Sequence, residues 1–590
     1  MSLDHIPVSP LRLPKSFNFA THILDAHARS HPSQTALYWV SQDLKTTRKL
    51  LYPDVSRSSR RIAHLLTHAL GLKPGDVCIV ILPRVPEWWE LACACLRAGI
   101  ILCPCTTLLV EKDIEYRLQV SNAVAFVGDE VAVRKCLKVK QRGAVPGLRR
   151  VVQINASQDG KRVGVPKGVE DFGELLSKVG SDVEFQVPSR LGPKSPALCF
   201  FTSGTTGPPK IVLHTQTSYP LAHAVTGAYW LRLTPTEDSV YWNLSEQGWA
   251  KAAWAFFGTF TNGATIFVHD DRLPFSPRRT LEVLHRFPIS TLCAPPTVYR
   301  QLVLDENRRL FESELKPRGL KHACGAGEPL NQSVIETWRA MTGGMEICDG
   351  YGQTETILTC ANQNGMEVRP GSMGRPLPGV PLLVVDDEGG EVDVGVEGDI
   401  AIEIDPPGAK EEEGFFGIFA GYVKDMASLT LDRRIRETKS GRRFYVTGDR
   451  ATRDKDGYFW FVGRNDDVIN SAGYRIGPFE VESTLKLHED VVESAVVAAP
   501  DPDREEVVKA FVVLTEKKWK EVKDNEGKQT KFIKELQDFC KEHAAPYKYP
   551  RRMEFVDATF LPKTISGKIK RAELKKLERE RYEKAKKSKL

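Results

Sequence analysis

Residues 202–210 read Thr202-Ser203-Gly204-Thr205-Thr206-Gly207-Pro208-Pro209-Lys210 and follow the apolar run Ala197-Leu198-Cys199-Phe200-Phe201. These residue types suit a phosphate. Glycines let backbone N–H groups turn toward an anion, the hydroxyls add donors, and Lys210 adds charge. A hydroxyl-rich surface turn has the same composition, so the stretch alone leaves both readings open. It is not a Walker loop, which needs a longer spacing between its last two glycines and a Lys-Ser/Thr pair opening a helix. Here two prolines follow Gly207, and Lys210 precedes Ile211.

The rest of the chain must position such a loop, and its bulk properties bound how. A length of 590 residues suggests several domains, and 41% hydrophobic with 27% charged residues is ordinary for a globular protein. The net charge of +6, with much of the basic excess near the C-terminus, gives no indication of a nucleic-acid partner. Twelve cysteines are scattered through apolar contexts with no secretory leader before them, which favours free thiols in a reducing compartment. The pairs Cys93/Cys95 and Cys103/Cys105 have no accompanying histidine and read as core residues rather than metal ligands. Leu91 to Val110 is the only stretch resembling a transmembrane segment. Arg97, Gly99 and Pro104 interrupt it, so a buried helix over 88–98 followed by a strand over 100–103 is expected and no membrane span. The last three residues, Ser588-Lys589-Leu590, match a receptor-read peroxisomal address, so a peroxisomal matrix location and an import-receptor partner are expected.

Strand-like runs at Val77–Leu82, Ala123–Val127, Ala264–Val268 and Thr291–Ala294 alternate with helical patterns, which predicts layered α/β structure with mostly parallel sheets. From Gly374 to Phe461 short strands and turns predict a small β-rich subdomain. Beyond Asp466 the pattern predicts a compact α+β unit, with helices over 478–487 and 532–543 and strands over 491–498, 510–514 and 552–555. The fold class is therefore α/β: a large N-terminal domain of layered subdomains over 1–465 and a small, mobile α+β C-terminal domain over 466–587.

Five further stretches accompany the glycine loop: Gly325-Ala326-Gly327-Glu328-Pro329, Asp349-Gly350-Tyr351-Gly352-Gln353-Thr354-Glu355, Tyr445-Val446-Thr447-Gly448-Asp449, Gly463-Arg464 through Pro478, and Pro562-Lys563-Thr564-Ile565-Ser566-Gly567-Lys568. In this order the set resembles the motifs of the acyl-adenylating superfamily of acyl-CoA synthetases, luciferases and peptide-synthetase adenylation domains. The Tyr-Gly-Gln-Thr-Glu stretch and the segment from Trp242 to Lys251 are most similar to medium-chain acyl-CoA synthetases.

The resemblance implies a chemistry in which a carboxylate attacks the α-phosphorus of ATP, so that two anions must be brought together by fixed donors and charge. It implies that Lys568 bridges the two anions, Thr354 donates to the α-phosphate and Glu355 holds Mg²⁺, a cation suited to oxygen ligands. Tyr351 would stack on adenine, and Asp349, Gly350, Gly352, Gln353, Gly325, Ala326 and Gly327 would line the nucleotide. Asp449 would accept the ribose hydroxyls, with Arg464 beside it. For the thioester step the resemblance implies a rotation of the C-terminal domain about Asp466. The turn Ala472-Gly473-Tyr474 would then admit the CoA pantetheine, and Arg475 and Arg504 would meet its phosphates. Trp249, with Gly327, would face the acyl chain, whereas Trp254, Phe256 and Phe257 read as core. The family often has Asp-Thr-Gly or Asp-Val-Gly where this chain has Glu246-Gln247-Gly248, which leaves the choice of acid open. Transfer to a carrier-protein thiol, luciferase-like oxygenation and a silent nucleotide-binding scaffold are the alternatives. No carrier domain follows Leu590, and the intact Lys568, Glu355 and Asp449 argue against a silent scaffold.

Overall fold

The computed structural model describes residues 13–587 except 159–160, 162, 203–207, 328–329, 331, 406–413, 472–473, 503, 545–547 and 565–567. Strands that read as unbroken apolar runs lie inside parallel sheets, where both faces are covered. Val77–Ile81 is buried at every position and pairs in parallel with Ile101–Pro104 and Ala125–Gly128. The helix Pro86–Ala98 joins two of these strands. Pro86 sits in its first turn, and Gly99 ends it with φ +73°, where a side chain would also strike Leu191. The stretch resembling a membrane span is thus a buried helix and strand, and no helix among the described residues is long and apolar enough to cross a membrane.

Two large sheets fill the N-terminal domain. The nine-stranded one carries Pro196–Thr202 beside Lys210–Thr215 as an antiparallel pair. The second has a parallel centre, with Val240–Asn243, Thr265–His269, Thr291–Ala294, His322–Ala326 and Ile347–Gly352 lying side by side. Past Ile347–Gly352 the pairing turns antiparallel through Leu358–Ala361 and Ser372–Pro376, and it continues into Phe459–Arg464, Arg443–Arg453, Gly398–Asp405 and Leu382–Val385. The β-rich stretch is therefore joined by hydrogen bonds to the parallel sheet rather than standing apart. That continuity brings residue 449 to the end of the strand carrying residue 351.

The C-terminal unit has its own five-stranded sheet, built on the long hairpin Val491–Asp501 and Glu505–Leu514, with Arg552–Phe555 parallel to the second arm. Helices Pro478–Leu485 and Glu526–His543 pack on a separate apolar core with Ile469, Val496, Val508 and Leu536. All twelve cysteines are buried and unpaired.

Candidate nucleotide and acyl site

The strand Ile347–Gly352 ends beside Arg443–Arg453, and the first polar contacts of the site form there. The Tyr351 hydroxyl and the Gln353 amide both donate to Asp449 Oδ2 at 2.6 Å. Gln353 also donates to the Thr447 carbonyl at 3.0 Å, and its own oxygen accepts from the Tyr445 hydroxyl at 3.1 Å. Asp449 Oδ1 accepts no hydrogen bond among the described residues and remains available to a ligand. Burial pushes the Asp449 carboxyl above the usual carboxylate range, against the Tyr351 bond and the charges of Arg464 and Lys568. Lys568 thus lies near enough to act electrostatically on Asp449, although it comes from the other domain and is 119 positions away (568 − 449).

Thr354 and Glu355 follow on a turn held from below. The Thr354 carbonyl accepts from His214 Nε2 at 2.8 Å and from the Tyr219 hydroxyl at 2.7 Å, and Trp254 Nε1 donates to that hydroxyl at 3.0 Å. Burial drives the pKa of His214 down to about 3, so this support is neutral. The Thr354 hydroxyl makes no hydrogen bond among the described residues. Glu355 Oε1 accepts from the Tyr422 hydroxyl at 2.7 Å, while Oε2 accepts none among them. Burial raises the Glu355 carboxyl, and Asp449 adds to that effect against the Tyr422 bond. Lys210 extends its ammonium over the Tyr422 ring, 5.3 Å from its centre, so the end of the glycine loop stands next to the Glu355 group.

Of that loop, Thr202 and Lys210 pair across the two strands, and the Pro209 carbonyl accepts from Tyr116. Residues 203–207 lie outside the described residues. The loop joins Pro196–Thr202 to a second strand, Lys210–Thr215, rather than opening a helix. Gly352 leaves no room for a side chain, since a Cβ there would come 2.5 Å from the Ile357 carbonyl. Gly327 has φ +108°. At Gly325 a Cβ would meet only ordinary contacts, so close approach does not explain that glycine.

Arg464 pairs in register with Asp449 and donates to Asp466 Oδ1 at 3.0 Å. Lys575, on the helix Arg571–Lys587, lies 3.4 Å from Asp467 and donates to the Asp466 carbonyl. The turn expected to act as a hinge is thus tied to both domains. Residues 472–473 and the side chains of Tyr474 and Arg475 lie outside the described structure. Arg504 directly precedes Glu505, which pairs with Ser471, so Arg504 is near that turn.

Trp249 caps the N-terminus of the helix Ala250–Thr261 and is half-buried, whereas Trp254, Phe256 and Phe257 are core residues. The unusual triplet before Trp249 has a structural role that spacing did not reveal. The Glu246 carboxylate accepts from the Thr106 hydroxyl and from Thr107 N and Oγ1, at 2.7 and 2.8 Å for the latter two. A Cβ on Gly248 would come 2.3 Å from Thr106 N. The 246–249 segment is therefore locked onto the 105–107 backbone. Gly248→Ala is expected to destabilise the protein by about 1–3 kcal/mol, because backbone cannot yield as a side chain can. It should also displace Trp249. A thermal melt and the KM for the acid check this, and an unchanged melt with an unchanged KM would contradict it.

The profile of the AMP-binding enzyme family matches residues 24–405, and that of the AMP-binding enzyme C-terminal domain matches residues 480–568. The chain belongs to the AMP-binding enzyme family. Human acyl-coenzyme A synthetase ACSM3, mitochondrial, is 43% identical over 577 residues, covering 96% of this chain and 91% of the relative. Human acyl-coenzyme A synthetase ACSM5, mitochondrial, is 41% identical over 573 residues, with the same coverage of both chains. Among solved structures, an acyl-CoA synthetase of Brucella canis is 31% identical with TM-score 0.68, covering 98% of this chain and 97% of that one. The anthranilate CoA ligase AuaEII, solved with anthranoyl-AMP, is 26% identical with TM-score 0.76, covering 96% and 98%.

These relatives correct one expectation. Both human synthetases are named as mitochondrial, which points this AMP-binding enzyme away from the peroxisome and from the import receptor inferred with it. The expectation rested on three terminal residues, which lie outside the described structure and form a pattern too short to outweigh relatives that match nearly the whole chain.

Three contacts of the site were not foreseen from the sequence: His214 and Tyr219 beneath Thr354, Tyr422 on Glu355, and Glu246 on Thr106 and Thr107. Each joins residues from different strands or loops, and spacing along the chain carries no trace of them.

Proposed function

We infer that the protein is an acyl-CoA synthetase that couples a carboxylic acid to coenzyme A at the expense of ATP, releasing AMP and pyrophosphate. The observation that carries this reading is the convergence of Asp449, Glu355 and Thr354, each with an oxygen unbonded among the described residues, with the Lys568 charge acting on Asp449. In the first step a carboxylate oxygen bonds to the α-phosphorus, the bond to the bridging oxygen breaks, and pyrophosphate leaves. Asp449 accepts the ribose hydroxyls. Thr354 donates to the α-phosphate, and Lys568 offsets the charge of the two approaching anions. Glu355 suits Mg²⁺, because one carboxylate oxygen is oriented by Tyr422 and the other is unbonded among the described residues. A bound Mg²⁺ would neutralise phosphate charge.

In the second step the C-terminal domain, taken as 466–587, turns about Asp466. Lys568 withdraws, and the turn around Gly473 admits the pantetheine arm, with Arg475 and Arg504 on the CoA phosphates. The thiol gives up its proton, sulfur bonds to the acyl carbon, and the bond to AMP breaks. Trp249 and Gly327 bound the acyl end. The preferred acids are small or medium-length, roughly four to ten carbons or one aromatic ring, because an indole at the acyl end closes off a long tunnel.

The test is pyrophosphate release with ATP and Mg²⁺ over short, medium, long and aromatic acids, with and without CoA. Release that depends on the acid, with acyl-CoA formed when CoA is present, is expected. No acid-dependent release from any of them would sink the reading. Trp249→Ala should widen the profile toward longer acids and weaken short ones through lost apolar contact. A best kcat/KM for palmitate in the wild type, or an unchanged profile in the variant, would remove the indole from the acyl end.

A further inference from the structure

The helix Pro478–Leu485 buries Val481 and Leu485, and with them it buries Glu482, which is 3% exposed. A carboxylate stays in such a place only with partners. Glu482 Oε1 accepts from the Val496 backbone N at 2.8 Å, within the strand Val491–Asp501. The Arg571 guanidinium spans both oxygens, with Nη2 donating to Oε1 at 2.8 Å and to Oε2 at 2.7 Å and Nε donating to Oε1 at 3.3 Å. Arg571 opens the helix Arg571–Lys587, three positions after Lys568 (571 − 568).

The segment that carries Lys568 closes on itself. Lys563 and Ile569 form an antiparallel bridge, Thr564 N donates to the Lys568 carbonyl at 2.8 Å, Lys568 N donates to the Thr564 hydroxyl at 3.1 Å, and Lys570 N donates to the Pro562 carbonyl at 2.8 Å. Lys568 thus lies on the returning arm of a short turn over 562–570, and the base of that turn sets where its side chain starts. Two anchors hold the base. On the incoming side Leu561 is buried with Val497, Phe511 and Leu574, and on the outgoing side stands the ion pair of Arg571 with Glu482. The helix carrying Glu482 begins against the other domain, since a Cβ on Gly477 would come 2.1 Å from the Val462 carbonyl. Glu482 therefore links the Lys568 segment to a helix that abuts the N-terminal domain.

A buried ion pair is a poor device for stability, because removing two charges from water offsets most of their attraction and apolar residues of similar size serve as well or better. What it supplies is direction. A guanidinium across two carboxylate oxygens fixes both the distance and the angle between two segments, which apolar contact does not. We propose that Glu482 is a positioning residue for Lys568, holding it through Arg571 where adenylation needs its charge. The proposal rests on the acyl-CoA synthetase reading and on the bridging role of Lys568. Lys568 serves the first half-reaction, so Glu482 should serve that one too, whereas a role in the fold alone would impair both half-reactions alike.

The experiment compares the full-length wild type with Glu482→Gln, Arg571→Lys and the double change Glu482→Gln with Arg571→Met. Single-turnover assays follow the two half-reactions, melts follow stability, and hydrogen exchange follows the Lys568 and Lys570 amides. Glu482→Gln keeps the shape and an acceptor for Val496 N, but it removes the charge and one of the two oxygens that Arg571 spans. It should lower kcat for adenylate formation by about 10- to 100-fold with the KM for ATP little changed, because a displacement of about 1 Å is enough for such a loss. Thiolysis of supplied acyl-adenylate should stay near the wild-type rate, and exchange at Lys568 and Lys570 should quicken. Arg571→Lys keeps the charge without the planar fork and should fall between. The double change leaves no unpaired buried charge, so its melt should return toward the wild type while adenylation stays low. A double variant that regains adenylation together with stability would overturn the proposal, as would a Glu482→Gln variant that loses both half-reactions equally. If the wild type releases no pyrophosphate with any acid, the synthetase reading fails. Hydrogen exchange then decides by itself whether Glu482 holds the Lys568 segment, and unchanged exchange in Glu482→Gln would show that it does not.

Discussion

Lys568→Ala is expected to lower acyl-adenylate formation by about 10²- to 10³-fold while leaving thiolysis of supplied acyl-adenylate near its wild-type rate. The reason lies in when charge is needed. Only in the first half-reaction do two anions have to meet, and the lysine sits on a domain whose placement puts its charge beside Asp449. Once pyrophosphate has left, the acyl-adenylate is attacked by a thiol and the cation has no second anion to bridge. Single-turnover assays of the two half-reactions separate the cases, and an equal loss in both would remove Lys568 from the bridging role.

Asp449→Asn is expected to weaken ATP binding by about 10²- to 10⁴-fold, since two charge-assisted hydrogen bonds to the ribose would each lose about 1.5–3 kcal/mol at most. The same change should leave the free protein as stable as before or more so. Burial raises the Asp449 carboxyl, so the folded state binds a proton more tightly than the unfolded chain does. The cost of keeping this group ionised is fully present above its folded pKa and is relieved as pH falls through it. The asparagine has no such cost, and its side-chain oxygen still accepts from Tyr351 and Gln353. Melts of the wild type should therefore rise toward those of the variant as pH is lowered from neutral. A large drop in melting temperature for Asp449→Asn at neutral pH would show that the carboxylate stabilises the fold, contrary to this account.

The two predictions separate function from folding at one site. Burial raises the Asp449 carboxyl, and Tyr351 and Gln353 orient one of its oxygens while the other is unbonded among the described residues. Glu355 repeats the pattern with Tyr422. Strain of this kind belongs where a ligand will supply what the free protein lacks.

The sequence alone determined the chemistry and the class of fold. Local order determines local structure, so the buried runs at Val77 and Thr291, the buried helix that stops at Gly99, and strands over 491–498 and 510–514 were legible from periodicity and turn residues, while the pairing of the last two into a hairpin was not. The motifs were legible for a related reason: each is a contiguous stretch, and acyl-adenylate chemistry needs those residue types together. Location was read wrongly from Ser588-Lys589-Leu590, because a receptor-read address carries little information and is not tied to packing. Only the tertiary structure decided how the pieces meet. The β-rich stretch pairs into the parallel sheet through Ser372–Pro376, which sets Asp449 beside Tyr351 and Gln353, nearly a hundred positions away. It likewise brought His214 and Tyr219 under Thr354, locked Glu246 to Thr106 and Thr107, and set the Lys251 ammonium on Ala326. Each of these is a contact between distant segments, made by sheet pairing and packing that no spacing within one segment can encode.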